Sequence, residues 1–131
     1  MAQDINTMPH NQEAEMALLG CLLMDNEIAA DIVDKLHEDD FYTERHQVIL
    51  RAMQRVFNER KPVDLVTVSD QLESDACLDK AGGISYLTDL TQITPSSANY
   101  KSYHEIVSRD SMNRRLMTSL GSPASLATSI P

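Results

Sequence analysis

The 131-residue sequence has no tryptophan, only 4 glycines and 2 cysteines, and 11 basic side chains against 20 acidic ones. Each shortage excludes something. None of the lysines (Lys35, Lys61, Lys80 and Lys101) follows a glycine, so no Gly-Lys-Ser/Thr loop is present to cradle a nucleoside triphosphate. Gly83-Ile84-Ser85 runs into Tyr86-Leu87, which rules out a Gly-x-Ser-x-Gly nucleophile elbow. Cys21 and Cys77 form no Cys-x-x-Cys pair and suit free thiols in a reducing compartment. The longest apolar run, Met16 to Met24, is nine residues, too short to span a bilayer. Asp4, Glu13 and Glu15 ahead of it are the wrong charge for a signal peptide. A cytoplasmic location is expected, with no membrane contact.

The net charge of -9 would repel nucleic acid, whose binding is driven by cations that displace counterions from phosphates. The imbalance is uneven. Residues 1–100 hold 7 basic and 18 acidic side chains, and residues 101–131 hold 4 and 2. An acidic body with a mildly basic end favours protein partners. At 14.6 kDa the chain also has no room for a large catalytic core.

What is there is helical. Asn11 suits an N-cap, with Glu13 and Glu15 in the first turn where the helix dipole favours carboxylates. The helix it opens runs to about Met24 and is apolar nearly all round, which predicts a central, buried element. After the turn signal Asp25-Asn26, a second helix is expected over Glu27 to about Leu36. A third spans Glu44 to Glu59, burying Val48, Ile49, Ala52, Met53, Val56 and Phe57 and exposing Arg51 and Arg55. Beyond Pro62, a short helix runs from Leu65 to Glu73 with Asp64 as its cap. A fifth, defined by Ile84, Leu87 and Leu90, follows Gly82-Gly83 and ends near Ile93. A long sixth starts near Ala98 and reaches Leu120, with Tyr103, Ile106, Val107, Asp110, Arg114 and Met117 in one sector.

The fold class is therefore all-α, a compact helical globule of about five helices followed by a long helix. Residues 1–8 read as a flexible leader, 9–95 as the globular body, 96–120 as the long helix and 121–131 as a flexible tail. Gly121 and Pro123 are expected to break or kink the last helix.

Three side-chain sets bear on function. Asp34, His37, Glu38, Asp39 and Asp40 carry metal-ligand chemistry, but they are adjacent in sequence, whereas ligand sets usually converge from separate elements. A solvated helix end is the favoured reading. A small metal-dependent hydrolase using His37, Asp39, Asp40 and His46 is the enzymatic alternative. His46 itself has no identifiable partner in sequence, and packing or capping is its expected role. Arg51, Arg55, Arg114 and Arg115 would serve a nucleic-acid-binding regulator. Arg109, Arg114 and Arg115, on the long helix where the charge changes sign, are candidates for docking a protein partner, together with Tyr86.

The order of short blocks resembles the opening of bacterial replicative DNA helicases of the DnaB type. Pro9-His10-Asn11-Gln12-Glu13-Ala14-Glu15 leads into Leu18-Leu19-Gly20. Asp39-Asp40-Phe41-Tyr42 with His46 follows, then Pro62-Val63-Asp64-Leu65, then Gly82-Gly83 with Tyr86-Leu87. Thr94-Pro95-Ser96-Ser97-Ala98-Asn99 and Tyr103 ahead of Ile106-Val107 complete the set. The likeness covers about residues 9–117.

That resemblance implies a non-catalytic N-terminal domain in which a helical globule precedes a helical hairpin, and the long helix would be the hairpin's first arm. Hairpins of neighbouring subunits pair, six subunits form a collar, and the collar docks the C-terminal domain of primase. Tyr103, Ile106, Val107, Met117 and Leu120 would then carry the subunit contact. ATP and magnesium belong to the parent's motor, so no cofactor is expected in this chain. A helicase loader is a further candidate partner. An acidic interaction module unrelated to replication is the alternative reading.

Overall fold

The computed structural model describes residues 10–94 and 96–121, the side chains of 119–121 excepted. Helix α1 (Gln12–Met24) opens as its cap residue requires, with Asn11 Oδ1 accepting from the Ala14 amide at 2.9 Å. Asp25 stops α1 and starts α2 (Asn26–Ile32), its carboxylate accepting from the Glu27 amide at 3.0 Å. Helix α3 (Glu44–Asn58) buries Val48, Ile49, Ala52, Met53 and Val56 and leaves Arg51 and Arg55 exposed. Asp64 caps α4 (Leu65–Ser74) through a reciprocal pair with Thr67. Then come α5 (Gly83–Ile93) and α6 (Tyr100–Gly121). No strand occurs among the described residues.

Helix α1 packs against α2, α3, α5 and α6 and is the hub of the core. Leu18, Leu19, Cys21 and Leu22 are wholly buried, as an all-round apolar helix must be to hide its surface. Gly20 sits where α1 meets the end of α5. A Cβ there would collide with the Leu90 carbonyl and the Thr94 hydroxyl, so only glycine permits this approach.

The structure corrects several expectations. The second helix ends at Ile32, and the chain tightens into a 3-10 turn over Val33–Lys35 that turns both Val33 and Leu36 inward. Ile84 lies on the outer side of α5 and is 55% exposed. A 3-10 turn over Ser97–Asn99, capped by Ser96, delays α6 to Tyr100. At its other end α6 continues through Gly121, because a glycine in the last turn costs too little to stop a helix. The leader expected over residues 1–8 and the tail over 122–131 lie outside the described residues.

The sixth helix is seated unevenly. Tyr100, Tyr103, Ile106 and Val107 pack on the core, but no described apolar side chain of α6 beyond Val107 does. Val107 is 2% exposed, so it belongs to this chain's own core and offers nothing to a neighbouring subunit. Met112, Leu116 and Met117 are 61%, 53% and 47% exposed.

Candidate functional site

Two polar assemblies and one apolar surface are built on this frame. The first assembly is a buried row. Glu15, on the same stripe of α1 as Leu18, Leu19 and Leu22, is 2% exposed, and His46 on α3 is fully buried. His46 Nδ1 donates to Glu15 Oε1 at 2.7 Å, and Nε2 meets the Tyr86 hydroxyl at 2.6 Å. The second carboxylate oxygen of Glu15 accepts from the Tyr42 amide at 2.7 Å.

Gly82, with φ of 95°, shapes the α5 start so that Tyr86 can lie close; a Cβ on it would fall 2.7 Å from Tyr86 Cβ. Arg45 covers the phenol ring, its guanidinium carbon 4.6 Å from the ring centroid. Burial pushes the Tyr86 hydroxyl above its ordinary pKa, with Arg45 pulling the other way. The row resembles a nucleophile–base–orienter set in outline. With the imidazole fully buried and each ring nitrogen engaged by a side chain of another helix, the row is a structural tie between α1, α3 and α5.

The second assembly ties α6 to the body. Asp40 ends a 3-10 turn (Glu38–Asp40) and is 8% exposed. Its Oδ2 accepts from the His37 amide at 2.9 Å, and its Oδ1 accepts from Ser111 Oγ at 3.0 Å and from Arg115 Nη2 at 3.1 Å. Arg114 Nη2 donates to the carbonyls of Asp39 and Asp40 at 3.2 and 3.0 Å, with its guanidinium over the Tyr42 ring. Tyr42 in turn stacks on His10 at 4.1 Å.

These contacts place the predicted site residues. Arg114 and Arg115 are engaged by the chain's own turn, and Tyr86 by His46, so their principal contacts are internal. Arg109 is exposed beside Asp110, at 3.4 Å. Arg51 pairs with Glu38 through two bonds of 3.0 and 2.9 Å, which hold the Glu38 carboxyl below its usual pKa, and Arg55 pairs with Asp75 at 3.2 Å. The acidic cluster is thereby divided, with Glu38 paired to Arg51 of α3, Asp40 paired to Arg115 of α6, and Asp34 exposed. Among the described residues no three His, Cys, Asp or Glu side chains converge on a metal position. Cys21 is buried, which together with nearby Asp25 pushes its thiol up to about 11, and Cys77 is also free. No helix among the described residues is long and apolar enough to cross a membrane.

The apolar surface has two parts. Tyr103 and Ile106 of α6 line a groove with Ala14, Met16 and Ala17 of α1 and Ile93 of α5. Further along α6, Met112, Leu116 and Met117 project from the arm uncovered. Met117 belongs to the predicted contact set, the Leu120 side chain lies outside the described residues, and Met112 and Leu116 were missed. Their spacing of four was the available signal. Glu15 as the partner of His46 was missed too.

Residues 7–109 match the family model described as DnaB-like helicase N terminal domain. The replicative DNA helicase DnaB of Buchnera aphidicola subsp. Baizongia pistaciae is 39% identical over 110 residues, 84% of this chain and 24% of that protein. The chain thus spans about a quarter of the length of the curated relatives it matches. The crystal structure of the N-terminal domain of DnaB helicase from Mycobacterium tuberculosis superposes with a TM-score of 0.85 at 29% identity, covering 94% of this chain and 85% of that one. A DnaB-like replicative helicase solved with its interactions with primase gives 0.73 at 24% identity, over 91% of this chain and 30% of that one, a likeness of fold alone.

Proposed function

This chain belongs to the family of DnaB-like helicase N-terminal domains, and from that premise we propose that it serves subunit assembly and primase docking in a hexameric replicative DNA helicase. As the non-motor region of such a helicase it is not itself catalytic. ATP and magnesium are assigned to the motor of the full-length protein, and its place is the cytoplasm. Residues 9–95 form the body in this reading, and 96–120 the first arm of a hairpin.

One observation carries the proposal. Beyond Val107, α6 exposes Met112, Leu116 and Met117, apolar side chains that the described chain does not cover. Large apolar side chains left exposed on one helix are stabilised by a partner helix. Tyr103 and Ile106 extend the same helix's contact surface toward the body. The acidic exterior keeps nucleic acid at a distance and suits protein partners, among which primase is the first choice and a helicase loader the second.

Sedimentation velocity, with and without the primase C-terminal domain, tests the docking role. A faster-sedimenting complex is expected on mixing. Two proteins that migrate independently at every ratio would remove primase docking from this domain.

A further inference from the structure

We propose that Asp40 is the anchor that sets the angle of the α6 arm on the body, so that the arm's distal end is positioned by a releasable polar clamp and not by the hydrophobic core. The observation is the change of contact along a single helix. From Tyr100 to Val107, α6 is seated on apolar side chains; from Asp110 onward its ties to the body among the described residues are polar.

Those ties converge on one turn. Asp40 Oδ1 accepts from both Ser111 and Arg115, residues four apart on the helix face that looks at the body. Arg114 adds bonds to the carbonyls of Asp39 and Asp40.

The turn itself is firmly held. Glu38 is bonded to Arg51, the Phe41 carbonyl accepts from Gln47 Nε2 at 2.8 Å, and the Tyr42 amide donates to buried Glu15. The base of the clamp therefore stays fixed while its grip on α6 depends on one carboxylate, one serine hydroxyl and two arginines. Arg115 is 56% exposed at its side chain, so water competes for its half of the clamp, whereas the Ser111 half is buried.

Such a clamp defines a direction for Met112, Leu116 and Met117, and with it where a partner helix sits. That consequence for assembly rests on the function proposed above; the arm's angle does not. Helical geometry sets the scale: Thr118 lies about 16 Å along α6 from Val107, so a swing of about 20° moves it by about 6 Å.

The test places spin labels at Asn58, exposed at the end of α3, and at Thr118, in the 131-residue chain carrying Cys77→Ser. Buried Cys21 stays unlabelled. Labelled protein is diluted in an excess of unlabelled chain, which confines the measured distances to one molecule. A single narrow Asn58–Thr118 distribution is expected with Asp40 present. Asp40→Ala should broaden or shift it by about 6 Å, the displacement of the swing above. Arg114→Gln with Arg115→Gln should do the same with the buried carboxylate kept, and serves if Asp40→Ala fails to fold. Distributions that superimpose on the unsubstituted chain in a folded variant would overturn the proposal. Self-association is then measured separately on the same variants, so loss of arm angle and loss of assembly are read independently.

Discussion

Replacement of His46 by alanine is expected to cost about 3–5 kcal/mol of folding stability, as breaking a buried charged or strongly hydrogen-bonded pair does. The imidazole is fully buried and, among the described residues, is the side chain that bonds Glu15 Oε1, while the other oxygen holds the Tyr42 amide. Without it, a carboxylate 2% exposed keeps one protein bond, the Tyr86 hydroxyl loses its acceptor, and a ring-sized void opens beneath Phe41. Set against the roughly 5–15 kcal/mol total stability of a domain, that loss is large. Urea unfolding followed by circular dichroism measures it. Glu15→Leu combined with His46→Leu should cost less than the two single changes together, because the pair is removed whole. A loss under about 1 kcal/mol for His46→Ala would mean the row is not a tie between helices.

Val107→Asp is the second large effect, and here the structure reverses what the sequence suggests. The family resemblance implies that Val107 faces a neighbouring subunit, where an aspartate would weaken association and spare the globule. At 2% exposure among the side chains of the core, the residue is inside its own protomer. An aspartate there meets no partner, and roughly 4 kcal/mol or more should be lost. A thermal melt measures this. A transition unchanged within about 0.5 kcal/mol would return Val107 to the surface.

The helices were legible because their signals are local. The Asn11 and Asp64 caps, the period of α3 and the apolar wrap of α1 each act within a few residues. Which way α6 faces was not local. Tyr103 and Val107 face inward onto the core, and beyond them the Glu38–Asp40 turn, about 70 residues earlier in sequence, supplies the acceptor for Ser111 and Arg115. Sequence period alone grouped exposed Met117 with buried Val107 and passed over Met112 and Leu116.

His46 shows the same limit. Its place with Ile49, Leu50 and Met53 on one face of α3 marks it as inward, but its partner Glu15 is 31 positions away. Glu15 also reads well as a first-turn carboxylate favoured by the helix dipole, which hid its place on the apolar stripe. The blocks that carry the family resemblance include Glu15, Asp40, Tyr42, His46, Gly82 and Tyr86. In the structure these residues hold the body together and grip the arm, so they report the domain's architecture. The surface proposed to face a partner lies elsewhere, on the distal arm.

The most direct measurement is therefore a sedimentation equilibrium series on the unsubstituted chain and on Leu116→Asp. Leu116 is 53% exposed and joins no core contact, so its replacement should leave the melting curve within about 0.5 kcal/mol of the original. If the distal face of α6 is the association surface, the unsubstituted chain shifts to a heavier species with concentration and the variant stays monomeric. Equal association by both chains, or a monomer throughout for the unsubstituted one, would contradict that assignment.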